Sequence, residues 1–265
     1  MTRRTGISTA PTARGGATSL LTVESLCKRF GGLQALDHLS FAVSTGEVLG
    51  IIGPNGAGKT ALINCITGLY QADSGAIGLD GTDLSNRAPH QISRLGIART
   101  FQNIRLFRRM SVLENVAVVL KQWSQRPLRS LLLRSDGPIR KSALQLLDRL
   151  RLADKADLLA GNLAYGEARR LEIARALATG PRLLFLDEPA AGMNEEETAT
   201  LAHDIRGLLD QVHGVVVIEH DIGFIRSLSD RLIAMDYGRK IAEGLPQEVF
   251  ANAQVVDAYL GRDDD

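Results

Sequence analysis

Short apolar runs of strand length recur along the chain, and stretches with helical spacing separate them. Leu20–Leu26 and Leu39–Val43 are β-prone, with a Gly31–Gly32 turn between them. Glu47–Ile52, apolar from Val48 onward, is of strand length and leads through a glycine-rich turn into helical spacing from Lys59 to about Leu69. Ala76–Leu79 reads as a further strand before an Asp80–Gly81 turn. From about Ile92 to Ala178 strand signals fade and helical spacing dominates. Two buried strands follow, Leu183–Leu186 and Val215–Ile218, with a helix over roughly Glu195–Gln211 between them. Leu232–Met235 and Lys240–Ala242 flank a Tyr237–Gly238 turn, and a last helix starts near Pro246.

Fully apolar strands that alternate with helices predict a parallel sheet covered on both faces. The expectation is therefore an α/β protein with an inserted helical subdomain at about 92–178. The segment Met1–Ser19 has Arg3, Arg4 and Arg14, no acidic residue and no apolar stretch after it. It reads as a disordered tail rather than a secretory signal, which leaves one domain over 20–262. With 31 basic and 30 acidic residues the net charge is +1, so no global field points to nucleic acid. No apolar run reaches the roughly 18 residues that a membrane span needs. Cys27 and Cys65 both lie in apolar contexts and read as buried thiols of a reducing cytoplasm.

The sharpest chemical signal is Gly53-Pro54-Asn55-Gly56-Ala57-Gly58-Lys59-Thr60, which fits the P-loop pattern at every fixed position. A strand precedes it and a helix follows, as the motif requires. Its glycines let backbone N–H groups converge on a phosphate, and the helix N-terminus adds partial positive charge. Lys59 is expected to reach the β- and γ-phosphates, and the Thr60 hydroxyl to ligate Mg²⁺. The motif alone does not distinguish kinases, GTPases and motor ATPases.

Leu183–Leu186 ends in Asp187 and Glu188, whose side chains point to opposite sides of the strand. Beside a P-loop, Asp187 suits Mg²⁺, and Glu188 suits orientation or deprotonation of an attacking water. Val215–Ile218 ends in Glu219-His220-Asp221, which places His220 at a strand tip where it can meet a γ-phosphate. His38, His90, His203 and His213 read as structural. Gln102, at the mouth of the helical insert, offers an amide for Mg²⁺ or water, a weak signal taken alone.

These motifs, in this order over about residues 20–260, resemble the ATP-binding cassette (ABC) family. The resemblance implies a RecA-like P-loop NTPase core, a mostly parallel sheet, an antiparallel β subdomain and a helical subdomain. It also implies that Phe30 stacks on adenine, although an ordinary core phenylalanine remains an alternative. Where the family has Leu-Ser-Gly-Gly-Gln, this chain has Leu163-Ala164-Tyr165-Gly166-Glu167. Ala164 lacks the serine hydroxyl and Tyr165 replaces a glycine, so a backbone role survives better than a side-chain one. That variant, with Thr100–Phe107, Asp187–Asn194 and Gly238–Gly244, resembles the larger ATPase subunit of branched-chain amino acid importers.

The resemblance implies ATP and Mg²⁺ as cofactors and a site completed by residues 163–167 of a second ABC ATPase, more often a shorter paralogue than an identical copy. It further implies two permeases, a separate substrate-binding protein and a place at the cytoplasmic face of the membrane. Rival readings are transport of urea, amides or lipopolysaccharide. From other classes come a soluble ABC protein of DNA repair or translation, or a nucleotide-gated binding module without turnover. The single cassette without a Cys-x-x-Cys hook argues against the soluble protein, and Asp187, Glu188 and His220 argue against the inert module. Lys121–Lys141, with six basic residues and only Asp136 acidic, reads as a solvated loop, with a lipid- or permease-facing role as the alternative.

Overall fold

The computed structural model describes residues 19–101, 104–123 and 137–260, with backbone alone at 121–123 and 260. Gln102, nearly all of the expected tail and most of Lys121–Lys141 lie outside the described residues.

The strands are β1 (Ser19–Phe30), β2 (Leu33–Ser44), β3 (Glu47–Ile52), β4 (Ser74–Leu79), β5 (Thr82–Asp83), β6 (Ile97–Arg99), β7 (Leu183–Asp187), β8 (Gly214–Ile218), β9 (Arg231–Asp236) and β10 (Arg239–Gly244). The α-helices are α1 (Lys59–Ile66), α2 (Pro89–Arg94), α3 (Val112–Trp123), α4 (Gly137–Arg149), α5 (Tyr165–Leu177), α6 (Glu195–Gly207), α7 (Ile222–Leu228), α8 (Pro246–Phe250) and α9 (Ala253–Leu260). They form a six-stranded sheet of order β10-β9-β3-β8-β7-β6 and a four-stranded sheet of order β2-β1-β4-β5. In the larger sheet β9, β3, β8, β7 and β6 run parallel, and only β10 is antiparallel. The smaller sheet is antiparallel throughout.

Both faces of the parallel sheet are covered, which explains the unbroken apolar runs. Val48, Ile52, Leu184, Leu186, Val215 and Val217 pack on one side, in a core shared with α3, α4, α5 and α6. Leu49, Ile51, Leu183, Phe185, Val216 and Ile218 face the other side and pack with α1 and the antiparallel sheet. Successive strand residues thus alternate between two separate cores.

Two elements differ from expectation. Ile97–Arg99 falls inside the stretch read as helical, yet it pairs in parallel with β7. Three residues are too few for a periodicity signal, and the pairing partner lies far along the chain. The last helix is broken in two because Asn252 ends one segment and caps the next, its Oδ1 accepting from Gln254 N at 2.9 Å.

Candidate active site

The loop 53–58 leaves β3 at its buried C-terminal end and enters α1. Gly58 is the residue before the helix, with φ +99° and no side-chain cap on the helix N–H groups. A Cβ there would lie 2.4 Å from the Ala35 carbonyl oxygen, so only glycine fits. The loop is braced from outside by Gly238 N, which donates to Ala57 O at 3.0 Å. Asn55, Gly56 and Thr60 are exposed, and Lys59 is half-buried with Nζ donating to the carbonyls of Gly53 and Pro54. With no acidic residue in the first turn of α1, this corner is a cationic, N–H-rich concavity suited to an anion.

β3, β8 and β7 are neighbours in the sheet, and Ile51, Ile218 and Asp187 lie in register across it. The segments that follow, starting at Gly53, Glu219 and Glu188, therefore emerge side by side at one sheet edge. Asp187 is buried, with Arg99 Nη2 at 3.6 Å and its backbone N–H donating to Thr100 Oγ1 at 3.3 Å. Burial raises its carboxyl pKa, Arg99 pulls it back, and the Glu188 charge adds to the rise. A desolvated carboxylate beside a second one supplies hard oxygen donors of the kind that fit Mg²⁺.

Glu188 has φ +48°, a conformation costly for a non-glycine residue, and its N–H donates to Ile218 O at 2.9 Å. Its Oε1 lies 3.8 Å from His220 Nδ1, and the imidazole is largely exposed. The turn carrying His220 is organised by Glu219, a residue the sequence reading passed over. The buried Glu219 carboxylate accepts from Ala190 N at 2.8 Å and His220 N at 3.0 Å, which ties the β7 and β8 turns together. Burial raises its pKa, and these backbone donors oppose the rise. The available signal was a second acidic residue directly after an apolar strand.

Phe30 ends β1 and is 42% exposed, so it is not a core phenylalanine. Tyr70 meets it edge-on at 5.1 Å and Lys28 Nζ lies 5.3 Å from its centroid. The ring is thus presented to solvent at the tip of the β1–β2 hairpin, whose Ala35 abuts Gly58.

Residues 163–167 form a different group. Ala164 precedes α5 and offers no side-chain acceptor, while the Glu167 carboxylate accepts from Ala164 N at 3.1 Å and pairs with Lys155. Tyr165 is exposed, and its ring lies against Gly192. Gly166 faces Met193 and Glu197. The start of α5 therefore packs on the loop after β7, within the same chain.

Also missed in the sequence was Arg169, which is fully buried on α5. Its Nη1 donates to Glu172 Oε2 and to Phe101 O, both at 2.7 Å, and Nη2 reaches Glu188 O at 3.4 Å. Glu172 Oε1 accepts from Phe101 N at 3.2 Å. The pair grips the residue preceding Gln102 on both sides. Burial raises the Glu172 pKa, and the Arg169 charge opposes it. A contiguous Glu-Ala-Arg-Arg-Leu-Glu run reads from sequence as a solvated helix face, and nothing local marks two of its charges as buried.

The description "ABC transporter" matches residues 36–191, which contain the loop, α5 and the strand with both carboxylates. The chain belongs to the ABC transporter family. Residues 239–265 match a second description, "Branched-chain amino acid ATP-binding cassette transporter". The high-affinity branched-chain amino acid transport ATP-binding protein BraF of Pseudomonas aeruginosa is 42% identical over 250 residues, covering 91% of this chain and 98% of its own. A crystal structure of the ADP conformation of MJ1267, a cassette of an ABC transporter, superposes with a TM-score of 0.82 at 32% identity, covering 92% of this chain and 100% of its own. A dimeric structure of the cassette MJ0796, in a post-hydrolysis state bound to ADP and phosphate, matches with a TM-score of 0.74 at 25% identity, covering 85% and 98%. The ABC fold thus accounts for both sheets and the helices between β6 and β7. As an ABC ATPase the chain is an α/β nucleotide-binding enzyme. Among the described residues no helix is long and apolar enough to cross a membrane.

Proposed function

We propose that this chain is the ATP-binding and ATP-hydrolysing subunit of an importer for branched-chain or similar hydrophobic amino acids. The observation that carries the reading is the convergence of the 53–60 loop, Asp187, Glu188 and His220 at one edge of three adjacent strands. In this reading Phe30 stacks on adenine, and residues 53–58 wrap the phosphates with backbone N–H groups. Lys59 neutralises the β- and γ-phosphates. Thr60 and Asp187 hold Mg²⁺, joined by Gln102, and the ion when bound supplies charge neutralisation on the transferred phosphoryl group. Glu188 orients and deprotonates the attacking water, and His220 holds that water against the γ-phosphate.

The second half of the site comes from a second ABC ATPase, whose counterpart of residues 163–167 closes on the nucleotide. Ala164 has no hydroxyl, so the contact rests on the α5 N-terminal N–H groups and helix dipole. The chain is one cassette over about 20–262, working from the cytoplasmic face of the membrane. The helices between β6 and β7 meet two permeases, fed by a separate binding protein. A cleft of about 320 Å³ beside Phe101, lined also by Thr67, Ile97, Val119 and Arg175, suits a permease loop. The specific cargo follows from the match at residues 239–265 and from the relatives' function, since the cargo does not meet this subunit.

The test is Glu188→Gln in the full complex purified from membranes through a tag on this chain. A second ATPase and two permeases are expected to co-purify. Nucleotide binding persists while steady-state phosphate release falls by at least about 100-fold. Unchanged phosphate release contradicts the assignment of Glu188.

A further inference from the structure

The segment matched at residues 239–265 contains α9, and α9 reaches the nucleotide-binding loop. Asn252 starts the helix by accepting from Gln254 N, and Val255 is buried four residues before Tyr259 on the same face. That face packs on the core shared with β3 and β9. The Tyr259 hydroxyl then accepts a hydrogen bond from the backbone N–H of Gly53 at 2.9 Å, across 206 positions of sequence. Gly53 is the first residue of the loop. Its φ is +151°, and a Cβ there would lie 2.2 Å from the Met235 carbonyl oxygen at the end of β9.

The Gly53 peptide is thus held on both sides. Its N–H is bound by α9, and its carbonyl accepts from Lys59 Nζ. A lysine ammonium that turns toward a bound phosphate shares its three N–H donors between the phosphate and the carbonyl acceptors behind it, which weakens its hold on those carbonyls. The residue that opens the loop then depends more on its N–H partner. Burial raises the Tyr259 pKa, and the Gly53 donor opposes the rise.

We propose that Tyr259 is a positioning residue for the nucleotide-binding loop, through which the C-terminal helix α9 sets nucleotide affinity. It does not touch the nucleotide; it fixes the backbone on which Lys59 and the loop N–H groups are mounted. This rests on the reading of residues 53–60 as the nucleotide site.

Tyr259→Phe removes the hydroxyl and keeps the ring that packs on the core. Titration of the purified full-length chain with MgADP by calorimetry is expected to show a Kd about 3- to 10-fold weaker than wild type, the size of one neutral hydrogen bond. Hydrogen exchange at the Gly53 amide is expected to accelerate in the same variant. Val255→Ala loosens α9 without removing the hydroxyl, so it should lower the thermal midpoint more than Tyr259→Phe while changing Kd less. Lys59→Ala tests the underlying reading and should abolish MgADP binding. If wild type binds, Lys59→Ala does not, and Tyr259→Phe binds as wild type does, the proposal is overturned while the nucleotide site stands. A Tyr259→Phe effect no larger than that of Val255→Ala assigns the residue to packing and also overturns it. Persistent binding by Lys59→Ala overturns the nucleotide site itself.

Discussion

Ala164 stands where the ABC pattern has a serine, and the geometry says what that change costs. The helix α5 begins without a side-chain acceptor, and Glu167 compensates only the Ala164 N–H. Ala164→Ser adds an acceptor at the helix start and should stabilise the protein by about 1 kcal/mol. Because the contact across the dimer is assigned to backbone N–H groups, the ATPase rate of the assembled complex should change by no more than about threefold, under 1 kcal/mol of transition-state energy. A collapse of the rate, measured as phosphate release, contradicts a backbone role. At this scale the sequence was informative where function is contiguous. The 53–60 loop and the Asp187-Glu188 pair each carry their chemistry within a few positions. Arg169 and Tyr259 were silent because their partners Phe101 and Gly53 are distant in sequence, and Glu219 showed only as an acidic residue after an apolar strand, with its link to Ala190 hidden.

The elements were legible in proportion to their length and burial. β3, β7 and β8 are apolar apart from Glu47 and Asp187 at their ends, and they appeared within one residue of their observed bounds. β1 and β2 run further than their apolar cores, because pairing across the Gly31–Gly32 turn carries polar residues such as Lys28 and Gln34 into the ladder. β6 was hidden because it is three residues long and exists by pairing with β7. Among the helices, α5 bridges the site. Arg169 binds Glu172, the Phe101 carbonyl and the Glu188 carbonyl, so α5, the segment after β6 and the end of β7 share one buried charge pair. Arg169→Met leaves Glu172 buried without its cation and should destabilise the protein by about 3 kcal/mol. Arg169→Met with Glu172→Leu should cost less than the sum of the two single changes, measured by denaturant unfolding. Additive costs would show that the pair is not coupled.

At the scale of the whole molecule, two cores flank the mostly parallel sheet, and the residues proposed as catalytic stand where its central strands end. One core is shared with the antiparallel sheet that presents Phe30, and the other with the helices that carry residues 163–167. In the proposed reading, the adenine contact and the partner contacts are therefore mounted on different sides of the sheet, and β7 lies between them. Glu188 stands at the junction, within reach of His220 through its side chain and of Arg169 through its carbonyl. This arrangement suits an enzyme whose hydrolysis is coupled to movement of a separate membrane partner. The proposed cargo is not readable from the residues proposed as catalytic; it rests on the kinship of the C-terminal segment and on the relatives matched over most of the chain. The most direct measurement of the central claim is uptake of radiolabelled leucine by cells whose sole copy of this chain carries Glu188→Gln at normal abundance. The account predicts uptake at background level, with restoration by the wild-type chain; leucine uptake that continues undiminished while the variant's ATPase is abolished would contradict it.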